Sequence, residues 1–371
     1  MTTLANEIQE DLVEIDESKS SAKKSKMKYI LVLAIIVIAI FLIASQSLSG
    51  LMEKSKGVTQ KIAESVESLP FKELTIPHLR EREYQGSLGE LDQISTNTNY
   101  TSYLTSYTSD GLKINALMTR PAGAEPEGGW PAIVFIHGYI PPTLYVTTEK
   151  YVDYVDYLAR NEFVVLKIDL RGHGESEGDP GGGYYGSDYV IDALNAYAAL
   201  QSADFVNKEK IGMWGHSMAG NILLRSAVVK KTIPAIVIWA GAVYSYEDQR
   251  KYGINDNSYR PPMPSAAQQQ NQNRRQSLFA KVGSPSAQSL FWKQVAPTNY
   301  LNDLQGAIEL HHAVNDDVVN VGYSRDLITL LDKTSVPHEL FEYSTGGHNI
   351  DGSSFGLAMQ RTVAFYKKHL Q

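Results

Sequence analysis

The stretch KIGMWGHSMAGNILLRSAVV, at residues 210–229, constrains the fold of this chain more than any other segment. Its first residues are apolar and strand-like, and residues 221–229 favour a helix, so Ser217 falls at a strand-to-helix turn. So tight a turn requires small residues two positions before and after the serine, as Gly215 and Ala219 are. The pattern predicts that Ser217 is presented as a nucleophile. The alternative is an ordinary strand–glycine–helix turn in which the serine has no chemical role.

An uncharged apolar run at residues 29–51 is long enough to cross a bilayer, which takes roughly 20 such residues. Lysines crowd its N-terminal side at residues 23–28, and by the positive-inside rule they remain in the cytoplasm. We therefore expect a cytoplasmic acidic and basic tail at 1–28, a single-pass transmembrane signal anchor at 29–51, and an extracytoplasmic remainder. The alternative is a cleaved signal peptide, for which residues 44–46 offer a faint cleavage site.

The order of segments after the apolar run predicts the fold class. Residues 52–99 are mixed in charge and read as a linker or stalk, and residues 100–371 form the main domain. That domain opens with a hairpin signal at Asp110-Gly111 and continues with alternating apolar runs and helical segments. This alternation predicts an α/β fold with a mostly parallel central sheet, helices on both faces and antiparallel edge strands.

Residues 244–292 interrupt the alternation and contain a polar run at 268–276. We expect a cap insertion over the active site, with a mobile polar part, because such long excursions from compact domains are usually lids or disordered segments. The alternative is a disordered surface excursion without a role at the site.

Three predicted strand ends carry reactive residues in the order Ser, Asp, His. Ser217 is at the first, Asp316 or Asp317 follows the apolar run at 307–312, and His348 follows the run at 338–343. In open α/β sheets, ligands bind beyond the carboxyl ends of the strands. A serine hydroxyl needs a general base, which His348 would supply, while the aspartate would hold the imidazole in the right tautomer.

The tetrahedral intermediate of such a reaction needs hydrogen-bond donors already in place. The residue after the nucleophile supplies one backbone N–H, here from Met218, and the loop after the strand at 132–136 supplies a second, from Tyr139. His216 is interpreted as loop support. His311 and His312 are consecutive on a strand and point to opposite faces, so they do not suggest a shared metal.

These residues resemble the α/β-hydrolase superfamily, and most of all the catalytic domain of the prolyl oligopeptidase (S9) family and dienelactone-hydrolase-like enzymes. The resemblance covers the chain from about residue 100 onward. It rests on the motifs IHG at 136–138, DLRGHG at 169–174, VNKEKIGMWGHSMAG at 206–220, NDDVV at 315–319 and GGH at 346–348. In that family's pattern the first aspartate of the pair is the triad acid, which implies Asp316. Ala219, Ala313 and Asn320 depart from the pattern.

The resemblance implies a serine hydrolase that needs no cofactor and no metal, and the apolar run at 29–51 implies that it is anchored in a membrane. A peptidase of S9 type acting on peptides is the first expectation, and a carboxylesterase or lipase-type enzyme acting on small esters is the alternative. No stretch before residue 100 is long enough for the S9 propeller, so peptide specificity does not carry over. A non-catalytic binding scaffold is the third reading. The net charge of −7 argues against nucleic acid as a partner, whereas the apolar run implies a lipid bilayer.

Overall fold

The computed structural model describes residues 70–181, 183–255 and 266–370, and a nine-stranded sheet runs through them. The strands are β1 (Asp92–Thr96), β2 (Tyr100–Ser109), β3 (Leu112–Pro121), β4 (Trp130–Ile136), β5 (Val164–Ile168), β6 (Val206–His216), β7 (Ala235–Trp239), β8 (Ala307–Ala313) and β9 (His338–Tyr343). Their order across the sheet is β1-β2-β3-β5-β4-β6-β7-β8-β9. Strands β4 to β9 are mutually parallel, so their carboxyl ends share one edge.

Helices cover both faces of this sheet. They are α1 (Ile76–Glu81), α2 (Val152–Arg160), α3 (Asp188–Ser202), α4 (Ala219–Val229), α5 (Tyr246–Tyr252), α6 (Ala266–Val282), α7 (Leu290–Val295), α8 (Gly322–Leu331) and α9 (Phe355–His369). On one face Phe135 of β4 packs in a cluster with Leu158 of α2 and Phe365 of α9. The neighbouring Val134 points to the opposite face and is equally buried. Burial on both faces explains why the parallel strands are continuous apolar runs.

The antiparallel edge follows from the Asp110-Gly111 turn. Both residues have left-handed φ values, 51° and 81°, which a two-residue hairpin turn requires. The turn sets the register of β2 against β3 from Ser109 opposite Leu112 to Tyr100 opposite Pro121. Strand β3 then pairs antiparallel with β5 and joins the hairpin to the parallel sheet. The predicted parallel sheet with antiparallel edge strands is confirmed.

Residues 70–99 correct the predicted linker at 52–99. Helix α1 begins after the cap Thr75, and Ile76 and Leu79 on it are fully buried. The guanidinium of Arg80 donates to the carbonyl of Val228 at the end of α4, with nitrogen–oxygen distances of 2.9 and 2.6 Å. The compact unit therefore begins at Pro70 rather than at Tyr100. Residues 70–99 alternate between polar and apolar side chains and contain no long apolar run, so their pattern does not predict this packing.

Residues 1–69 lie outside the described part of the chain. The predicted tail, the predicted signal anchor at 29–51 and the first part of the predicted linker fall there. Among the residues that are described, no helix is both long and apolar enough to span a bilayer.

The predicted insertion at 244–292 contains α5, α6 and the beginning of α7, apart from residues 256–265, which are not described. The polar run at 268–276 lies within helix α6. On this helix Asn271 donates to the carbonyl of Pro180 at 2.7 Å, and Arg274 pairs with Asp188 at 2.9 Å. The insertion therefore packs against the segment between β5 and α3 and against the first residue of α3.

A buried ion pair explains one motif of the sequence. Arg171, in DLRGHG, donates to the carboxylate of Asp192 on α3 at 2.6 Å, and that carboxylate is completely buried and also accepts from Ser109. Replacing Arg171 with alanine should lower the free energy of unfolding by about 3–5 kcal/mol, because it leaves a buried charge unpaired. The exposed Arg325–Glu342 pair is the control, and Arg325→Ala should cost about 1 kcal/mol or less. Equal losses in urea unfolding would contradict this prediction.

Candidate active site

The nucleophile turn has the geometry that the sequence predicts. Ser217 follows the last residue of β6 and has a left-handed φ of 56°, which is strained for a residue with a Cβ. A Cβ added at Gly215 would lie 2.6 Å from a methyl carbon of Leu223 and 2.8 Å from the Cβ of Ala219. The turn is thus closed tightly against α4, and the small residues around Ser217 are a steric requirement.

Asp316 and His348 meet at the same edge of the sheet. Asp316 lies beyond the end of β8 and His348 beyond the end of β9, and the Nδ1 of His348 lies 2.8 Å from the Oδ2 of Asp316. The carboxylate is fully buried, whereas the imidazole is 18% exposed and can be reached by a substrate. Asp317 is exposed. Of the two acids that the residues alone left open, Asp316 is therefore the one in contact with His348.

Backbone and side-chain donors hold the Asp316 carboxylate in place. Its Oδ1 accepts from the backbone N–H groups of Val318 and Val319, both at 2.9 Å. Its Oδ2 faces the Nε2 of His312 at 3.3 Å, in addition to His348. Burial alone would raise the pKa of Asp316, but the hydrogen bonds from His312 and His348 outweigh it and hold this pKa well below its ordinary value. The acid stays charged and ready to orient an imidazole.

His312 is a site residue that the sequence analysis missed. Its Nδ1 contacts the hydroxyl of Ser324 on α8 at 2.8 Å, and its Nε2 lies 2.9 Å from the carbonyl of Val319. Because the Nε2 faces that carbonyl and the Asp316 carboxylate, it carries the proton. His311 points to the other face, where it contacts Glu309 and Tyr343. The spacing of four between His312 and Asp316 was the only available signal.

The two predicted oxyanion donors follow neighbouring strands, Met218 after β6 and Tyr139 after β4. Met218 is the cap residue immediately before helix α4, where the first backbone N–H groups have no partner within the helix, and it is buried. Tyr139 follows Gly138 in the loop after β4, next to β6 in the sheet, and its side chain is 42% exposed. Both positions lie at the edge that carries Ser217.

The insertion contacts a segment that borders this site. Gly183 lies against Met218, because a Cβ added to it would sit 3.5 Å from the methionine sulfur. Tyr185 in the same segment lies under the guanidinium of Arg275 on α6, 4.6 Å from the ring centre. Helix α6 therefore rests on the segment that contacts a predicted oxyanion residue. Across the described residues, no group of three or more His, Cys, Asp or Glu side chains is arranged so that it could hold a metal ion.

The sequence is similar to one described protein family and to several known proteins. Residues 131–278 match the family described as serine aminopeptidase, S33. A polyketide transferase, claH of Penicillium crustosum, is 30% identical over 148 residues, which are 40% of this chain and 46% of that protein. The uncharacterized peptidase YtmA of Bacillus subtilis strain 168 is 24% identical over 250 residues, 66% of this chain and 85% of that one. The chain thus spans about half the length of the first of these relatives.

Solved structures share the fold. The dipeptidyl peptidase 4 of Porphyromonas gingivalis superposes with a TM-score of 0.56 and 19% identity, over 73% of this chain and 36% of that one. Acetyl xylan esterase 1 of Thermoanaerobacterium sp. JW/SL YS485 gives 0.52 and 18%, over 78% and 91%. The resemblance to the α/β-hydrolases is confirmed, and the chain is similar to serine peptidases and esterases of this fold.

Proposed function

We propose that this chain is a membrane-anchored serine hydrolase that cleaves peptide bonds, with Ser217, His348 and Asp316 as its catalytic triad. One observation carries the proposal. A serine in a strained left-handed turn and a histidine bonded to a buried carboxylate follow parallel strands that end at one edge of the sheet. A nucleophile, a base and an orienting acid at a strand edge are the parts that acyl transfer requires.

The reaction proceeds in two halves. The Oγ of Ser217 attacks the scissile carbonyl carbon while its proton passes to the Nε2 of His348, and the charged Asp316 stabilises the imidazolium. The backbone N–H groups of Met218 and Tyr139 hold the tetrahedral oxyanion, and each is worth about 3 kcal/mol in the barrier. The proton then passes to the leaving amine as the C–N bond breaks. Water then attacks the acyl-enzyme with His348 again as the general base. The ester bond to Ser217 breaks and the carboxylic acid product is released.

Peptides are the first substrate class because the names of several relatives point to them. The matching family is described as serine aminopeptidase, and both YtmA and the Porphyromonas gingivalis protein are named as peptidases. Esters are the second class, favoured by domain size. The chain covers 91% of an acetyl xylan esterase but only 36% of the dipeptidyl peptidase. The superposed part of this chain thus corresponds to nearly the full length of that esterase.

The location of the site is part of the proposal. The apolar run at 29–51 and the lysines before it support a signal anchor with a cytoplasmic N-terminus, which places Ser217 outside the cytoplasm. The substrates would then be extracellular or envelope peptides or esters.

A membrane-impermeant fluorophosphonate probe tests reaction and location together. Intact cells expressing the full chain should be labelled, and cells expressing Ser217→Ala or His348→Ala should not. Labelling that survives Ser217→Ala would disprove the nucleophile. Labelling that appears only after the cells are permeabilised would keep the hydrolase but overturn the topology. A parallel screen of aminoacyl-nitroanilides and p-nitrophenyl esters then separates peptidase from esterase.

A further inference from the structure

The imidazole of His216, next to the nucleophile, has both ring nitrogens bonded. Its Nε2 lies 2.8 Å from the backbone carbonyl of His348, and its Nδ1 lies 2.8 Å from the hydroxyl of Tyr151. A carbonyl only accepts, so the Nε2 carries the proton. Burial, followed by the charge of His348, lowers the pKa of His216 to about 3, so the ring is neutral and its Nδ1 is an acceptor.

The hydroxyl of Tyr151 therefore donates to His216. Because its proton is used in that bond, the Tyr151 oxygen can only accept the next one. The same oxygen accepts from the backbone N–H of Gly138 at 2.9 Å. A Cβ added to Gly138 would lie 2.9 Å from this oxygen and 3.0 Å from the Nδ1 of His216, so the three groups pack without spare room. Gly138 immediately precedes Tyr139, the predicted oxyanion donor. The Gly138 N–H is therefore committed to Tyr151, one residue before the predicted oxyanion donor.

The loop that carries His348 needs support from outside itself. Gly346, Gly347 and Ile350 all have left-handed φ values, 126°, 56° and 52°. A backbone in these conformations is strained at Ile350 and loses the most entropy at the glycines, so it keeps one shape only if its surroundings define it. The bond from His216 to the His348 carbonyl is one such restraint.

We propose that Tyr151 and His216 are positioning residues that hold the His348 loop and the Tyr139 loop in one fixed arrangement. The oriented chain runs from the Gly138 N–H to Tyr151, from Tyr151 to His216 and from His216 to the His348 carbonyl. This chain of hydrogen bonds joins the loop of the general base to the loop of the oxyanion donor. Because the His216 ring is neutral, its Nε2 stays the donor and its Nδ1 stays the acceptor. The inference rests on the proposed function, because it concerns the geometry of the same reaction.

Tyr154, three residues after Tyr151, offers a matched control. The hydroxyl of Tyr154 on α2 donates to the carbonyl of Asn349 at 2.8 Å, one residue beyond His348. Tyr154→Phe therefore removes one hydrogen bond to the His348 loop without touching the link to Gly138. If support of that loop were all that Tyr151 provided, the two tyrosine variants would behave alike.

The test uses the full chain in detergent micelles with the best nitroanilide or nitrophenyl ester substrate. Tyr151→Phe should lower kcat about tenfold and change KM less than about twofold, while Tyr154→Phe should change kcat less than about threefold. His216→Asn, too short to reach the His348 carbonyl, should act like Tyr151→Phe, and His216→Gln should recover part of the loss. The double variant Tyr151→Phe/His216→Asn should be no slower than the slower single variant, because both interrupt one chain.

A spectroscopic readout separates positioning from folding. In ¹⁵N-histidine spectra, His216 should keep the Nε2–H tautomer in the wild type and in both tyrosine variants, because the His348 carbonyl fixes that proton. Only Tyr151→Phe should shift the Nδ1 resonance, because only that variant removes the hydrogen bond to Nδ1. Equal kcat for Tyr151→Phe and wild type, equal losses in Tyr151→Phe and Tyr154→Phe, or multiplicative losses in the double variant would each overturn the inference. Absence of Ser217-dependent turnover in the wild type would instead overturn the proposed function, and the inference with it.

Discussion

Replacing Ser217 with alanine is expected to lower kcat by about 10⁶-fold for whichever substrate the wild-type chain cleaves best. The Oγ of Ser217 is the atom on which the acyl-enzyme forms, and neither His348 nor the oxyanion donors can replace it. Alanine is smaller than serine, and the left-handed turn disfavours both residues to a similar degree, so the fold should be retained. Steady-state rates and the burst of the first turnover measure the loss.

The control for this prediction is a serine at the same edge of the sheet. Ser344 is exposed and directly follows β9, four residues before His348. Ser344→Ala should leave kcat within about twofold of the wild type, as surface substitutions usually do. A Ser217→Ala protein that kept more than about 1% of the wild-type kcat would show that another group is the nucleophile.

The strand ends could be predicted from sequence because their pattern is local. Small residues around Ser217, apolar runs and glycine-rich turns after the runs follow from the sterics of tight turns and from burial on both faces of a sheet. Each acts within a few residues. Parallel pairing then brings the ends together whatever the side chains are, which is why Ser217 and His348 could be placed at one edge without coordinates.

The missed residues depend on contacts that form only when the loops fold back in three dimensions. His312 reaches Asp316 only because the loop after β8 turns back over its own strand, and Tyr151 meets His216 across 65 residues of sequence. The choice between Asp316 and Asp317 likewise depends on which carboxylate the turn directs inward. The sequence of residues 70–99 resembles a linker because the burial of Ile76 depends on α4, which follows far along the chain. No local pattern encodes such partners.

Replacing Asp316 with asparagine is expected to lower kcat by about 10⁴-fold. The two backbone N–H groups at Oδ1 fix the orientation of the new side chain, because only the amide oxygen can accept from them. The amide NH₂ must then occupy the place of Oδ2 and donate toward the Nδ1 of His348. An imidazole that accepts at Nδ1 carries its proton at Nε2, and that tautomer cannot take the proton of Ser217. Kinetics of Asp316→Asn against Asp317→Asn measure the effect, and Asp317→Asn should stay within about threefold of the wild type.

Asp316→Asn should also change how the free energy of unfolding depends on pH. The pKa of Asp316 is lower in the folded than in the unfolded chain, so its charge stabilises the fold above the unfolded pKa of about 4. This contribution is lost as the pH falls through the folded pKa. The difference in unfolding free energy between wild type and Asp316→Asn should therefore shrink as the pH falls below about 4. Denaturant titrations at several pH values would show it. A difference that grew on acidification would mean that the Asp316 carboxyl is protonated in the folded chain, and such a carboxyl could not stabilise the imidazolium of His348.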